Sequence, residues 1–210
     1  MTFREALLPA FALSLLSSSA HASAARLAPA SAWEIGPVIA GRNYSLGLAR
    51  PTTTTDGWAF SIGPRHEPHY VTFRHGSLRG KTRIRMRFRI DGPASAIVYG
   101  AKCATAAPAA VTLFFQRRDD DWRRDGGRWW ASFASMPLTG PSREREVVAA
   151  LDGRWTSVMT MSAANSPAAF AAAKAQADRV GFTFANCTGL GHGARATVPV
   201  RFVVTHFEVL

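Results

Sequence analysis

Long apolar segments are almost absent from this 210-residue sequence. The longest, residues 6–16 (ALLPAFALSLL), is too short to cross a bilayer as a helix. It follows an arginine and precedes AHA, an A-x-A pattern typical of signal-peptide cleavage, and no cysteine that could accept a lipid lies beside it. We therefore predict a signal peptide over residues 1–22, a flexible leader over residues 23–31, no transmembrane segment, and a periplasmic or secreted protein.

Signatures of catalysis and of cofactor binding are missing as well. The sequence contains no G-x-S-x-G, no H-E-x-x-H and no nucleotide-binding fingerprint. The glycine-rich residues 189–193 do not connect a strand to a helix, so we interpret them as a loop with His192 at its tip as a candidate ligand contact. Residues 142–146, SRERE, resemble only part of the R-x-E-L-R strand of jelly-roll alginate lyases. We predict no catalytic residue, metal or cofactor, and a polysaccharide lyase or hydrolase stays the weaker alternative.

Lysine is scarce, although the protein is strongly basic. Of its 25 basic residues only Lys81, Lys102 and Lys174 are lysines, the formal net charge is +11, and the pI is near 11.1. An Ala- and Arg-rich composition is what GC-rich coding produces, and this is one explanation of the charge. The other is attraction to an anionic partner such as an acidic polysaccharide or lipopolysaccharide. Because we predict export, we predict no nucleic-acid partner.

Two clusters of ionisable residues invite a metal interpretation. Asp119, Asp120 and Asp121 carry oxygen ligands that calcium accepts, but they lie among arginines and lack EF-hand spacing, so we predict that they pair with those arginines. His66, His69 and His75 lie close together around a proline-containing loop without a zinc-ligand pattern. We predict that these are surface histidines.

The remaining pattern is one of short strands. The sequence is 47% hydrophobic, which excludes a disordered chain, and about eleven short β-prone segments alternate with Gly and Pro turns. Residues 81–90, KTRIRMRFRI, have strict period-two alternation, typical of an antiparallel strand with one solvated face. The arginines are Arg83, Arg85, Arg87 and Arg89, and the core-facing residues are Ile84, Met86, Phe88 and Ile90. Residues 165–177 favour one short helix, with Phe170 anchoring it. We predict an all-β fold over residues 32–210, an antiparallel β-sandwich (jelly roll) with one short helix.

Residues 111–133, VTLFFQRRDDDWRRDGGRWWASF, predict a strand, a charged turn and a second strand. Neighbours on a strand point to opposite faces, so one of Trp129 and Trp130 belongs in the core and the other faces solvent, a covering loop or a ligand. A hairpin would bring that tryptophan close to Arg117, Arg128 and Trp122. We predict these residues as the ligand-binding surface, because aromatic rings stack on flat apolar surfaces and arginine forks bind carboxylates. The alternative is that the tryptophans belong to the core and the arginines are ordinary surface charge.

The pair around Phe114–Phe115 and Trp129–Trp130, with a closing hairpin of residues 180–184 and 201–205, resembles galactose-binding-like jelly-roll domains and carbohydrate-binding modules. The chain is also similar to exported bacterial domains with an FQRR…DDW…RWW run. The resemblance implies an exported β-sandwich that binds a glycan non-covalently, with an acidic polysaccharide as one ligand class. The alternative function is an envelope structural or interaction protein without a small ligand.

Cys103 and Cys187 are the only two cysteines, and in an exported chain we predict that they form a disulfide. The bond would close a loop of about 84 residues and stabilise the fold by at most about 4–5 kcal/mol on the chain-entropy account. Alkylation of the denatured protein without reductant, followed by intact-mass measurement, should show no added label. Two labelled cysteines would rule the bond out.

Overall fold

The computed structural model describes residues 27–93, 96–101, 107–123, 125–138, 143–158, 161–185 and 191–210. The predicted signal peptide and both cysteines therefore lie outside the described residues. The strands are β1 Trp33–Gly36, β2 Val38–Ile39, β3 Arg42–Asn43, β4 Thr52–Thr54, β5 Gly57–Ile62, β6 Tyr70–Arg74, β7 Arg83–Asp91, β8 Val98–Gly100, β9 Ala110–Arg117, β10 Arg128–Trp130, β11 Met136–Pro137, β12 Arg145–Ala150, β13 Thr156–Ser157, β14 Ala177–Ala185, β15 Ala194–Ala196 and β16 Val200–Val209. The helices within these described ranges are α1, Pro167–Ala175, and 3-10 turns at Ala30–Ala32 and Ser132–Ala134.

Most strands belong to two antiparallel sheets. In the larger, seven-stranded sheet the order is β1-β6-β14-β9-β10-β13, with β11 also paired to β9. In the five-stranded sheet the order is β12-β7-β16-β5-β4, and β8–β15 and β2–β3 form small separate pairs. Strands that are distant in sequence lie side by side, so cross-strand register decides which residues meet. The prediction of an antiparallel β-sandwich with one short helix is confirmed.

Aromatic side chains hold the two sheets face to face. Trp33 of β1 meets Trp58 of β5 with 4.6 Å between ring centroids. Phe182 of β14 contacts Phe202 of β16 at 5.5 Å. These rings are buried, and large buried aromatics contribute much of the hydrophobic free energy of folding. The core therefore lies between the sheets, and alternate residues of each strand are left to form the two outer faces.

Strand β7 has the predicted alternation. Ile84, Met86 and Phe88 are buried, and Ile90 packs against the core from a half-buried position. The arginines of the other face do not form a free basic stripe, because carboxylates on neighbouring strands and loops pair with three of them. Arg85 pairs with Glu208, Arg87 with Glu146, and Arg89 with Asp56 and Asp91.

Helix α1 begins at Pro167, as predicted, and Ser166 occupies its N-cap position without a capping hydrogen bond from its side chain. The helix ends at Ala175, and Ala177 already belongs to β14. Phe170 is buried in the core, 4.9 Å from the Trp129 ring, so its predicted anchoring role is confirmed. No helix among the described residues is both long enough and apolar enough to cross a membrane.

The N-terminal end of the described chain packs on the sandwich. Ala30 is buried, Leu27 and Ala28 contact the core, and the Trp33 indole N–H donates a hydrogen bond to the Ala28 carbonyl at 3.2 Å. The last residues of the segment predicted as a leader therefore contribute to the domain.

Phe88→Ala should destabilise the protein by about 3–5 kcal/mol, because it removes a fully buried ring and leaves a cavity between the sheets. The neighbouring variant Arg87→Ala is the matched control and should cost far less, since that side chain is 46% exposed. Urea unfolding of both variants measures the difference. Equal destabilisation would contradict the assignment of the two faces.

Candidate functional site

The predicted hairpin is present. Strands β9 and β10 pair antiparallel, with Gln116 opposite Arg128, Phe115 opposite Trp129 and Phe114 opposite Trp130. The hairpin continues into the turn through a hydrogen bond from the Arg117 N–H to the Gly127 carbonyl at 2.8 Å. The pairing brings the arginine-rich end of β9 beside the tryptophans of β10, as the sequence predicts.

Trp129 and Trp130 point to opposite faces of the sheet, which confirms the prediction from strand geometry. Trp129 enters the core between the sheets, is 0% exposed, and donates its indole N–H to the Gly126 carbonyl at 2.9 Å. Trp130 lies on the outer face, packed 5.4 Å from Phe114, and is only 3% exposed.

Of the surroundings predicted for the second tryptophan of this pair, the structure shows a covering loop and not exposure to solvent. Trp130 belongs to a second apolar cluster with Tyr70 and Phe114, against which Trp122 and Val158 pack. Trp122 comes from the turn between β9 and β10, and Val158 follows β13. These neighbours exclude water from the Trp130 ring, so within the predicted set Trp122 is the aromatic residue that keeps an exposed surface.

A groove of about 200 Å³ lies on the outer face of the seven-stranded sheet. Its floor comes from cross-strand rows in which Tyr70 stands opposite Gly36, Thr72 opposite Gly181, and Gly181 opposite Phe114. Gly181 leaves the centre of this face without a side chain, and a Cβ there would overlap the Val71 carbonyl oxygen of β6. The lining residues are Glu34, Gly36, Pro37, Val38, Tyr70, Thr72, Arg74, Phe114, Gln116, Arg117, Arg118, Asp120, Trp122, Asp178 and Arg179.

Trp122 forms an aromatic side of this groove. Its ring meets Tyr70 nearly edge-on, with centroids 5.1 Å apart, and the Arg128 guanidinium carbon lies 5.1 Å from its ring centroid. Its backbone is left-handed, with φ of 68°, a conformation that non-glycine residues seldom adopt. Such a conformation persists only where surrounding contacts stabilise it.

The carboxylate of Asp120 supplies those contacts. It accepts a hydrogen bond from the Trp122 N–H at 3.1 Å and from the Gln116 side-chain amide at 2.8 Å. It also forms an ion pair with Arg128 at 3.1 Å, and its side chain is completely buried. Gly127 leaves room for it, since a Cβ there would lie 2.5 Å from an Asp120 carboxylate oxygen. The buried acid therefore connects the turn to both strands and holds Trp122 in place.

Carboxylates accompany the arginines around the groove. Arg74 pairs with Asp178 at 3.0 Å, Arg179 with Glu34 at 2.8 Å, and Arg117 with Asp119 at 3.0 Å. The more exposed Arg118 lies 3.9 Å from Asp178. The predicted pairing of the aspartate run with the arginines around it is confirmed for Asp119, whereas Asp120 is buried and pairs with Arg128 of β10.

His192 and the other predicted histidines lie elsewhere. His192 is exposed and is not one of the described residues that line the groove. The prediction of surface histidines is wrong for His69, which is 7% exposed and lies 3.0 Å from a carboxylate oxygen of Glu67. Arg195 of β15 pairs with the same carboxylate at 2.8 Å, and the backbone at Gly193 passes so close that a Cβ there would lie 2.6 Å from the imidazole. A loop distant in sequence therefore covers this histidine.

Several groove residues are absent from the set predicted from sequence, chiefly Glu34, Tyr70, Asp178 and Arg179. Each lies on or beside a strand other than β9 and β10. Strand alternation places Tyr70 and Thr72 on the same face of β6, and this pattern could have predicted that β6 contributes residues to the groove. Only the register of β1, β6 and β14 shows that these residues share a groove with Trp122.

Comparison with known proteins gave one notable structure. No known family profile matches the chain, and no curated protein matches it. A solved structure of a xylan-binding module, CBM15, aligns with 86% of this chain and 95% of its own, at 14% sequence identity and a TM-score of 0.43. That neighbour is a carbohydrate-binding module, the class that the sequence resembles. At this TM-score the likeness supports no inference about the ligand of this chain.

Burial raises the pKa of Tyr70 to about 12, outweighing the opposing effect of the nearby Arg128 guanidinium. An unfolded chain would ionise this phenol near its ordinary pKa of 10.0, so the native state loses stability as the pH rises from about 10 to about 12. Ultraviolet titration should show a tyrosine step near pH 12 that is missing in Tyr70→Phe. The variant should also lose less stability than the wild type over that pH range. A titration unchanged by the substitution would contradict the burial of this phenol.

Proposed function

We propose that this protein binds a glycan non-covalently in the groove on the outer face of the seven-stranded sheet. The observation that carries the proposal is the position of Trp122, an aromatic side chain held over a polar groove by a buried ion pair. Sugar rings present a weakly polar face and a rim of hydroxyl groups. A site for them needs an aromatic surface beside closely spaced donors and acceptors.

The polar groups of the groove supply the closely spaced hydrogen-bond donors and acceptors. Thr72 carries a hydroxyl, Gln116 an amide and Arg179 a guanidinium, and together they offer donors and acceptors to hydroxyl groups. Most of these groups lie on strands, whose backbone is hydrogen-bonded on both sides, so the site is ordered before a ligand arrives. Preorganisation lowers the entropy lost on binding.

The ligand is either a neutral glycan or an acidic polysaccharide, the class that the sequence predicts. The net charge of +11 favours it at long range. The carboxylates beside the groove arginines oppose it at short range. Export to the periplasm or the cell exterior is likewise part of the proposal and is supported by the pattern of residues 1–22.

A second candidate is the envelope interaction protein without a small ligand. Val38, Tyr44 and Leu46, in and after the β2–β3 pair, are each more than 40% exposed. Exposed apolar side chains within one short segment favour contact with another protein. If no glycan binds, this segment is the first surface to test.

Trp122→Ala should weaken glycan binding about tenfold, since aromatic contacts of this kind contribute about 1 kcal/mol or more beyond the buried area. A panel of neutral and uronic polysaccharides identifies a ligand of the purified protein, and calorimetry compares the variants. Thermal unfolding of each variant checks that the fold survives.

The matched control is Phe133→Ala. Phe133 is also a partly exposed aromatic residue under an arginine, with the Arg154 guanidinium carbon 4.2 Å from its ring centroid, but it does not line the groove. Its loss should leave the affinity unchanged. A Trp122→Ala variant that binds as well as the wild type, or a wild type that binds no glycan, would refute the proposed function.

A further inference from the structure

We infer that Glu34 and Asp178 determine the ligand class of the groove, because they pair with three of its four arginines and so favour uncharged glycan chains over acidic ones. The inference rests on the proposed function. It concerns the same groove and identifies which of its residues set specificity.

Glu34 acts on the β1 side of the groove. One of its carboxylate oxygens lies 2.8 Å from a terminal nitrogen of Arg179. The other terminal nitrogen of Arg179 donates a hydrogen bond to the Thr72 hydroxyl at 3.4 Å. The guanidinium is thus held across the sheet by two groups of the protein, and its charge is compensated before any ligand arrives.

Asp178 is shared by two arginines. Arg74 donates hydrogen bonds to both of its carboxylate oxygens, at 3.0 and 3.2 Å, and Arg118 lies 3.9 Å away. The side chain of Asp178 is only 16% exposed, so water screens its charge less than that of a surface acid. Its backbone carbonyl accepts hydrogen bonds from the His75 N–H at 2.8 Å and the Gly76 N–H at 3.3 Å, which fix its position.

Each arginine that lines the groove therefore faces a carboxylate, since Arg117 pairs with Asp119 as well. A uronate or sulfate group entering the groove would meet these carboxylates at short range, and like charges in contact oppose binding. A sugar hydroxyl meets no such repulsion. It can accept a hydrogen bond from the guanidinium N–H groups that the carboxylates leave available, because arginine carries several donors.

The high net charge does not contradict this inference. Most of the excess arginines lie outside the groove, and at physiological salt their influence decays over about 8 Å. They attract anionic surfaces in general without providing an anion-specific contact in the site. The ion pairs of the groove therefore act on a bound ligand at contact distance, whereas the net charge of the protein acts at longer range.

The test uses the neutral polysaccharide that binds best in the panel, together with the same polysaccharide carboxymethylated at a low level. The wild type should bind the carboxymethylated form about two- to fivefold more weakly, and its affinity for the neutral form should change little with salt. Asp178→Asn and Glu34→Gln should each reduce or remove the discrimination, because each frees an arginine. Both substitutions keep the size and hydrogen-bonding oxygen of the side chain, and thermal unfolding monitors the fold.

The control for total charge is Asp152→Asn. This residue pairs with Arg154 at 2.7 Å outside the groove, so the substitution changes the net charge equally and should leave the discrimination as in the wild type. The inference is overturned if a uronic polysaccharide heads the panel, or if the groove variants behave like Asp152→Asn. A wild type that binds no polysaccharide of either class would instead refute the proposed function, and this inference with it.

Discussion

Trp33, Trp58, Phe182 and Phe202 meet between the two sheets, and their packing holds the sheets together. Because these rings must lie inside, strand alternation turns the neighbouring residues of β6, β9 and β14 outward. The outer face of the seven-stranded sheet thereby receives Tyr70, Phe114 and Gly181. The residues that do not pack in the core form the outer face of the sheet, and the groove lies on that face.

The turn between β9 and β10 adds an aromatic side to the groove on this outer face. Burying the Asp120 carboxylate would be costly without partners, and Arg128, Gln116 and the Trp122 N–H provide them. These contacts hold the turn in one conformation, with the Trp122 backbone in the left-handed region and its ring packed on Tyr70. Asp120, which the sequence shows only as one of three adjacent acids, therefore fixes the position of Trp122 beside the groove.

Charge pairing is the second feature that the groove shares with the rest of the molecule. Carboxylates from neighbouring strands and loops oppose the arginines of β7, as they do around the groove. Each exposed pair contributes little to stability, and its main consequence is electrostatic. Where a carboxylate pairs with an arginine in this way, the positive charge is compensated locally and the guanidinium keeps further N–H donors.

Local patterns in the sequence determined the fold class, the faces of β7, the opposite directions of Trp129 and Trp130, and the anchoring of α1 by Phe170. These follow from periodicities of one strand or one helix, which the sequence contains directly. The burial of Trp130 and of His69, and the membership of Glu34, Asp178 and Arg179 in the groove, were decided only by the tertiary structure. They depend on strand register and on loops that cover one face of a sheet. Both bring together residues that are far apart in the sequence, such as Glu34 and Arg179, and no local pattern encodes such contacts.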